Sequence, residues 1–230
     1  MANPSVVIDI AAEYTGKKAF RQADTATQKL TKTTKNLGRA IGVAFSTAAV
    51  IGYAKKSIKA SIEAQAQQQR LAKLTKITVG ATDSQIQSLN SQAKALEQIG
   101  VVSAGNITQT QSQLATFNLQ LSTIEALTPA ILDYVTAEKG ASASTAEFKS
   151  MTNGLAQALN GNFTSLTRVG FVIDENTKSI IKNGNESERA AAIIKVLDST
   201  YKGFNSSLRD TPTGQMAILA NAAEEAATVI

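Results

Sequence analysis

Residues 82–100, TDSQIQSLNSQAKALEQIG, contain a complete set of helix signals. Thr82 and Gln85 form a capping-box pattern, in which each side chain accepts a hydrogen bond from the other residue's backbone N–H. The apolar residues that follow recur three or four positions apart, on one helix face: Ile86, Leu89, Ala93 and Leu96. Gly100 is a typical helix end. This stretch therefore predicts an amphipathic helix that packs against other elements.

Similar signals recur downstream, so the predicted fold class is mainly α. Ser144 and Glu147 repeat the capping-box pattern, and Pro129 with Gly140 is typical of a helix that opens at the proline and closes at the glycine. The apolar spacing predicts helices over about residues 107–124, 129–138, 144–159 and 186–208, and another that begins at Pro212.

Two short segments carry clustered apolar side chains instead of a helical period. Residues 5–10 (SVVIDI) and residues 171–173 (FVI) are predicted to be strand-like, and the second is expected to pack into the helices. Between residue 17 and Gly80 the pattern is again helical, and it is strongly basic at first.

The sequence divides into three predicted parts. Residues 1–80 hold the short strand and extended N-terminal helices, which are basic and include an apolar Ala/Gly run. Residues 81–210 are predicted to form a small irregular helical bundle. Residues 211–230 begin a helix that we expect to continue into a downstream region, because its apolar face is still open at Ile230.

The apolar run, residues 40–54, suggests a helix-packing ridge. Small residues occupy every fourth position, which lets another helix backbone approach closely: Ala40, Ala44, Ala48 and Gly52. An ordinary buried helix is the alternative, since alanine-rich sequences produce this spacing by chance. The run is 15 residues long, whereas a membrane-spanning helix needs about 20.

Composition excludes several kinds of site. The chain has neither cysteine nor histidine, which removes thiolate metal sites, cysteine nucleophiles and every histidine-dependent catalytic triad. No phosphate-binding glycine loop or nucleophile elbow is present in the sequence. We therefore predict no enzyme activity, no metal and no cofactor.

The net charge of +5 is unevenly distributed. Residues 1–80 carry 13 Lys and Arg against 4 Asp and Glu, whereas residues 81–230 carry 10 against 14. A basic helix is a candidate contact for nucleic acid or an anionic surface, although such a charge run usually forms a solvated face.

Three stretches resemble one family. They are residues 6–16 (VVIDIAAEYTG), residues 154–173 (GLAQALNGNFTSLTRVGFVI), and residues 201–219 from Tyr201 to Leu219. The first resembles the start of phage tail tape measure proteins. The second is similar to their helix, turn and short helix ahead of an apolar tripeptide, and the third to their entry into a long central region. Family members are usually far longer than this chain.

The apolar spacing over residues 107–124 is typical of a coiled coil or, because it is short, of packing within a bundle. The resemblance implies a structural scaffold that sets tail length during tail tube assembly and aids DNA ejection. It implies association of several copies, and partners among the major tail tube protein, tail assembly chaperones and tail tip proteins. The expected location is the host cytoplasm during assembly and then the lumen of the virion tail. Membrane contact during ejection is a further expectation.

Two alternatives stay open from the sequence. One is a membrane-active helical protein that inserts into or perforates the host envelope, which residues 40–54 and the preceding basic helix motivate. The other is an enzyme such as a cell-wall hydrolase, of the kind fused to some family members, although no catalytic constellation in this sequence supports it.

Overall fold

The computed structural model describes residues 47–162, 164–168 and 170–228, and this part of the chain is mainly helical without any strand. The mainly α prediction is confirmed. The chain divides into two compact units, one of residues 1–61 with 222–230 and one of residues 62–221. In the first unit, residues 47–61 and 222–228 are helical. The predicted strand at residues 5–10 lies outside the described residues.

Helix α1 (Thr47–Val79) runs from the first unit into the second. It ends before Gly80, as predicted, where the backbone turns with φ +65°. Within the second unit, Ala64, Leu71 and Thr75 form its buried face, spaced seven and four residues apart. The side chain of Leu71 is part of the core of that unit.

Three mutually packed helices form the centre of the second unit: α3 (Ala104–Ala115), α4 (Leu121–Lys139) and α5 (Thr145–Leu159). Helix α2 (Asp83–Ile99) packs on α3 and α4. Both predicted capping boxes, at the starts of α2 and α5, are present. The side chains that fill the core include Leu89, Ile107, Leu114, Ile124, Ile131, Leu132, Phe148 and Leu155.

The remaining helices follow α5 in the chain. They are α6 (Thr164–Arg168), α7 (Glu175–Asn183), α8 (Glu186–Tyr201), α9 (Phe204–Ser207) and α10 (Pro212–Thr228), with a 3₁₀ turn at Leu208–Asp210. Helix α8 packs on α4, α5 and α7, while α9 packs on α4. The predicted domain boundaries at residues 80/81 and 210/211 stay predictions.

Two predicted helices are each broken in the structure. The segment 107–124 is interrupted between α3 and α4, where Asn118 adopts φ +58°, a left-handed conformation that asparagine tolerates. The segment 186–208 is interrupted after Tyr201, where Gly203 adopts φ +79°. In both places the apolar period continues through the turn, so spacing alone did not reveal the break.

The strand-like prediction for residues 171–173 is wrong, because these residues form no strand. Phe171 packs against the core and Ile173 is buried, but Val172 between them is 93% exposed. The segment is therefore an unpaired chain whose alternate side chains pack into the helices. Its anchor is the backbone N–H of Phe171, which donates to the carbonyl of Leu166 over 3.1 Å.

Candidate functional site

Half of the predicted helix-packing ridge lies outside the described residues. Ala48 and Gly52 belong to α1, while Ala40 and Ala44 lie outside the described residues. The structure does bring together a second group of residues that the sequence analysis did not identify. It is centred on α3, and we call it the polar axis.

The polar axis is the sequence Thr108–Gln113 (TQTQSQ), six polar residues in the middle of the bundle. All six are buried, as are Ile107 and Leu114 at its two ends. A helix surrounded on every side is normally apolar all round. The signal available in the sequence was a helical window whose large apolar residues were limited to its ends, and such a window usually indicates an exposed helix.

One side of the polar axis bonds to α2. The Nε2 atom of Gln111 donates to the carbonyl of Leu89 over 3.1 Å and to Oε1 of Gln92 over 3.0 Å. Gln92 in turn donates through Nε2 to the carbonyl of Glu125 on α4, over 2.8 Å. These bonds link three helices through two glutamine side chains.

The bond to Glu125 also explains an unexpected proline. Pro129 does not open a helix as predicted but lies inside α4. A proline there has no N–H, so the carbonyl four residues earlier, that of Glu125, loses its helical partner. Gln92 supplies the missing donor from the neighbouring helix, and the interior proline is tolerated because tertiary packing compensates for it.

A second side of the polar axis faces α5, and we call this contact the α3–α5 seam. At one end Thr145 donates through Oγ1 to Oδ1 of Asn106 over 2.8 Å, and at the other Gln113 donates through Nε2 to Oδ1 of Asn153 over 3.4 Å. Since residue numbers rise together along both helices, α3 and α5 are parallel. The seam is unusual because amides and hydroxyls, instead of apolar side chains, mark its ends.

A third set of polar contacts fixes the segment after α8. The carboxylate of Asp133 on α4 accepts from the backbone N–H of Gly203 over 2.8 Å and from that of Asn205 over 2.9 Å. The side chain of Asn205, itself buried, accepts from the N–H of Val101 over 3.0 Å. These bonds join residues about 70 to 100 positions apart in the chain.

Two further side chains strengthen that attachment. Nη1 of Arg209 donates to the carbonyls of Gln98 and Gly100 over 2.7 and 2.9 Å, which caps the end of α2 with a positive charge. Nδ2 of Asn221 donates to the carbonyl of Val101 over 2.9 Å. Three side chains from residues 205–221 therefore bond to the backbone at the end of α2 and in the turn before α3.

Three aromatic rings hold the Phe171 segment against α4 and α8. The rings of Tyr134, Phe171 and Tyr201 lie with centroids 5.3 to 5.7 Å apart, in tilted and edge-on arrangements. Burial raises the pKa of Tyr134 to about 12, and the nearby charge of Glu138 adds to that effect. Burial also raises the pKa of Tyr201, whose hydroxyl donates to Glu138 over 2.9 Å.

An open groove of about 560 Å³ lies between α7 and α8. Its walls include Ile180, Ala191 and Ala192, with Glu188 and Lys195 at the charged positions. Glu188 is already engaged as the capping-box residue of α8, since its carboxylate accepts from the N–H of Asn185 over 2.8 Å. The groove is mainly apolar, and the positive charge of Lys195 contributes to the lowered pKa of Asp174.

The described ranges, residues 47–162, 164–168 and 170–228, contain neither a candidate metal site nor a candidate membrane span. There, no three Asp or Glu side chains are grouped closely enough to hold a metal ion. Among the described helices, none is both long and apolar enough to cross a bilayer. No family model, curated protein or solved structure matches this chain.

Proposed function

We propose that this chain is the N-terminal part of a phage tail tape measure protein, a structural scaffold that sets tail length while the tail tube assembles and that aids DNA ejection. The observation that carries the proposal is the block at residues 154–173, the most specific of the three family-like stretches. Its local structure supports the proposal: α5 ends at Leu159, a turn follows, α6 spans Thr164–Arg168, and the apolar tripeptide comes next.

The length of α1 also supports a scaffold. At 33 residues it is roughly three times as long as an average globular helix, and at 1.5 Å per residue it reaches about 50 Å. Extended N-terminal helices of this kind are suited to a scaffold that lies along the axis of the tail. The ridge of small residues at Ala40, Ala44, Ala48 and Gly52 would then let helices of neighbouring copies pack closely.

The hydrogen bonds of the charged side chains also support a structural role. In the described part of the chain, Asp133, Glu147 and Asp174 bind backbone N–H groups at helix starts, and the pKa of Glu147 and that of Asp174 are lowered by these hydrogen bonds. Arg189 and Arg209 donate to backbone carbonyls. These groups stabilise helix ends, which favours a structural role.

The proposed partners are further copies of the chain, the major tail tube protein, tail assembly chaperones and tail tip proteins. The basic segment of residues 17–39, which the sequence predicts to be helical, is the proposed contact for nucleic acid. The proposed location is the lumen of the tail, after assembly in the host cytoplasm.

Tail length is the decisive measurement. In-frame deletions of 18 and 36 residues between residues 17 and 61 of the parent gene each remove a whole number of helical turns. If this stretch is a helical ruler, tails seen by electron microscopy should be shorter by about 27 and 54 Å, at 1.5 Å per deleted residue. The matched control replaces the same 18 residues with an 18-residue Ala/Glu/Lys helix, which should restore the length.

The possible outcomes separate a ruler from an anchor. Infectious particles whose tails keep their normal length in both deletions would contradict a length-setting role for this region. Failure of tail formation in the deletions and in the length-preserving replacement would assign the region to anchoring or initiation within the scaffold.

A further inference from the structure

Several buried threonines in this bundle satisfy their hydroxyls within their own helix, but Thr108 and Thr152 do not. A helical threonine can satisfy its hydroxyl on the carbonyl four residues earlier. Thr75, Thr128 and Thr136 all do so, with distances of 2.6 to 2.8 Å. Thr152 on α5 is equally buried, yet its Oγ1 has no hydrogen-bond partner among the described residues.

Four side-chain atoms of the polar axis share this condition: Oγ1 of Thr108, Nε2 of Gln109, Oε1 of Gln111 and Oε1 of Gln113. Gln111 faces α2, to which its Nε2 is bonded, whereas Gln109 and Gln113 follow Asn106 of the seam at spacings of three and four residues, on one helix face. Nε2 of Gln109 and Oε1 of Gln113 are buried and unpartnered in the described part of the chain, and both residues are less than 10% exposed. Gln109 lies on α3 between the two hydrogen-bonded ends of the α3–α5 seam. Thr152 is adjacent on α5 to Asn153, which bonds Gln113. Nε2 of Gln109, Oε1 of Gln113 and Oγ1 of Thr152 therefore belong to residues of one stretch of the seam.

Three unsatisfied groups in one seam would be costly, because each buried polar atom without a partner destabilises the fold. Buried water is the usual partner of such atoms, and it typically makes two to four hydrogen bonds. The chemistry of this set selects water over a cation. A cation could be bound by the oxygen atoms of Gln113 and Thr152 but not by the Nε2 donor of Gln109, whereas water both donates and accepts.

We propose that the α3–α5 seam contains a specific site for ordered water, formed by Nε2 of Gln109, Oε1 of Gln113 and Oγ1 of Thr152. The site makes α3 a hydrated axis of the bundle. It also gives a hydrogen-bond partner to two of the unpartnered buried atoms of the polar axis. The site does not depend on the proposed function, because it concerns only the stability of the unit of residues 62–221.

The sign of a stability change tests the proposal. Thr152→Val has nearly the same shape and helix propensity but removes the hydroxyl. If water is bound there, the variant leaves the water and its other partners incompletely bonded, and the unfolding equilibrium constant of the full chain should rise by about tenfold. If the hydroxyl is dry and unpartnered, removing it should lower that constant instead.

The matched control is Thr128→Val, since Thr128 is also fully buried but its hydroxyl bonds to the carbonyl of Ile124. A change in Thr152→Val no larger than in the control, or a stabilisation, would overturn the proposal. Gln109→Met, which removes the donor while keeping a similar volume, should destabilise the chain in the same direction.

A measurement on the unaltered protein tests the same site without a substitution. In a chain with ¹⁵N-labelled glutamine side chains, nuclear Overhauser transfer from water to the side-chain NH₂ of Gln109 should be observed, and a long-lived water should give it the sign of a slowly tumbling molecule. Absence of that transfer, with the amide protons resolved, would overturn the site even if a variant failed to fold.

Discussion

Gly100 is required for a steric reason and not for its conformational freedom. Its φ of −122° is accessible to any residue, but a Cβ atom built there would lie 2.1 Å from Nδ2 of Asn205. The side chain of Asn205 cannot simply move aside, since its Oδ1 holds the N–H of Val101. Glycine at position 100 therefore leaves room for the side chain of Asn205, 105 positions later in the chain.

A double-mutant cycle tests this coupling. Gly100→Ala should destabilise the chain by about 1–3 kcal/mol through overpacking, and Asn205→Ala should cost about 1–3 kcal/mol because the buried N–H of Val101 loses its partner. The double variant should cost less than the two together by at least about 1 kcal/mol, since the space is then free. Additive costs in urea denaturation would contradict the contact.

Tyr134 predicts a loss of stability at alkaline pH. The neutral phenol is favoured in the folded chain, because Tyr134 is only 3% exposed and its pKa is raised from 10.0 to about 12. The contribution of Tyr134 to the free energy of unfolding is therefore fully present below about pH 10, and it is lost as the pH rises towards about 12. A pKa difference of this size corresponds to about 3 kcal/mol.

The variant Tyr134→Phe isolates that contribution from the lysines, which titrate in the same range. The stability difference between the native chain and the variant should change steadily between pH 10 and pH 12 in thermal melts. The absorbance of tyrosinate at high pH should also show that the variant has one fewer late-titrating tyrosine than the native chain. A difference that is constant over this pH range would refute the assignment.

Helix α4 shows that the limits of an element are set by its neighbours as well as by its own sequence. Pro129 is typical of a helix start, so the prediction left out the four residues Glu125 to Thr128 of α4 and assigned the first four, Leu121 to Ile124, to the preceding helix. The missing N–H of Pro129 is tolerated because Gln92 of α2 donates to the carbonyl of Glu125. No pattern within α4 indicates that donor.

Gln92→Met should therefore destabilise the chain by about 1–3 kcal/mol, since the Glu125 carbonyl and Gln111 both lose a partner. In a Pro129→Ala background the new N–H can bond to Glu125, so the same substitution should cost about 1 kcal/mol less. Guanidinium unfolding of the four chains measures both values. Equal costs in the two backgrounds would show that Gln92 does not compensate for the proline.

The compact unit of residues 62–221 is held together by contacts between distant parts of the chain. Its core extends in sequence from Leu71 to Leu197, and the bonds of Asn205, Arg209 and Asn221 return the chain to the turn after α2. Helix formation alone therefore does not determine how this unit packs. The arrangement of the packed helices is decided by contacts of side chains with residues 70 to 120 positions away in the chain.

The sequence alone determined the mainly α class, the starts of α2 and α5, and the ends at Gly80, Gly100 and Gly140. These features depend on interactions within four residues, so a short window contains their cause. Tertiary structure decided the interior position of Pro129, the breaks at Asn118 and Gly203, and the burial of Thr108–Gln113. A polar helix can be buried only when donors and acceptors on other helices meet it, and the sequence of the helix itself does not specify where those groups will lie.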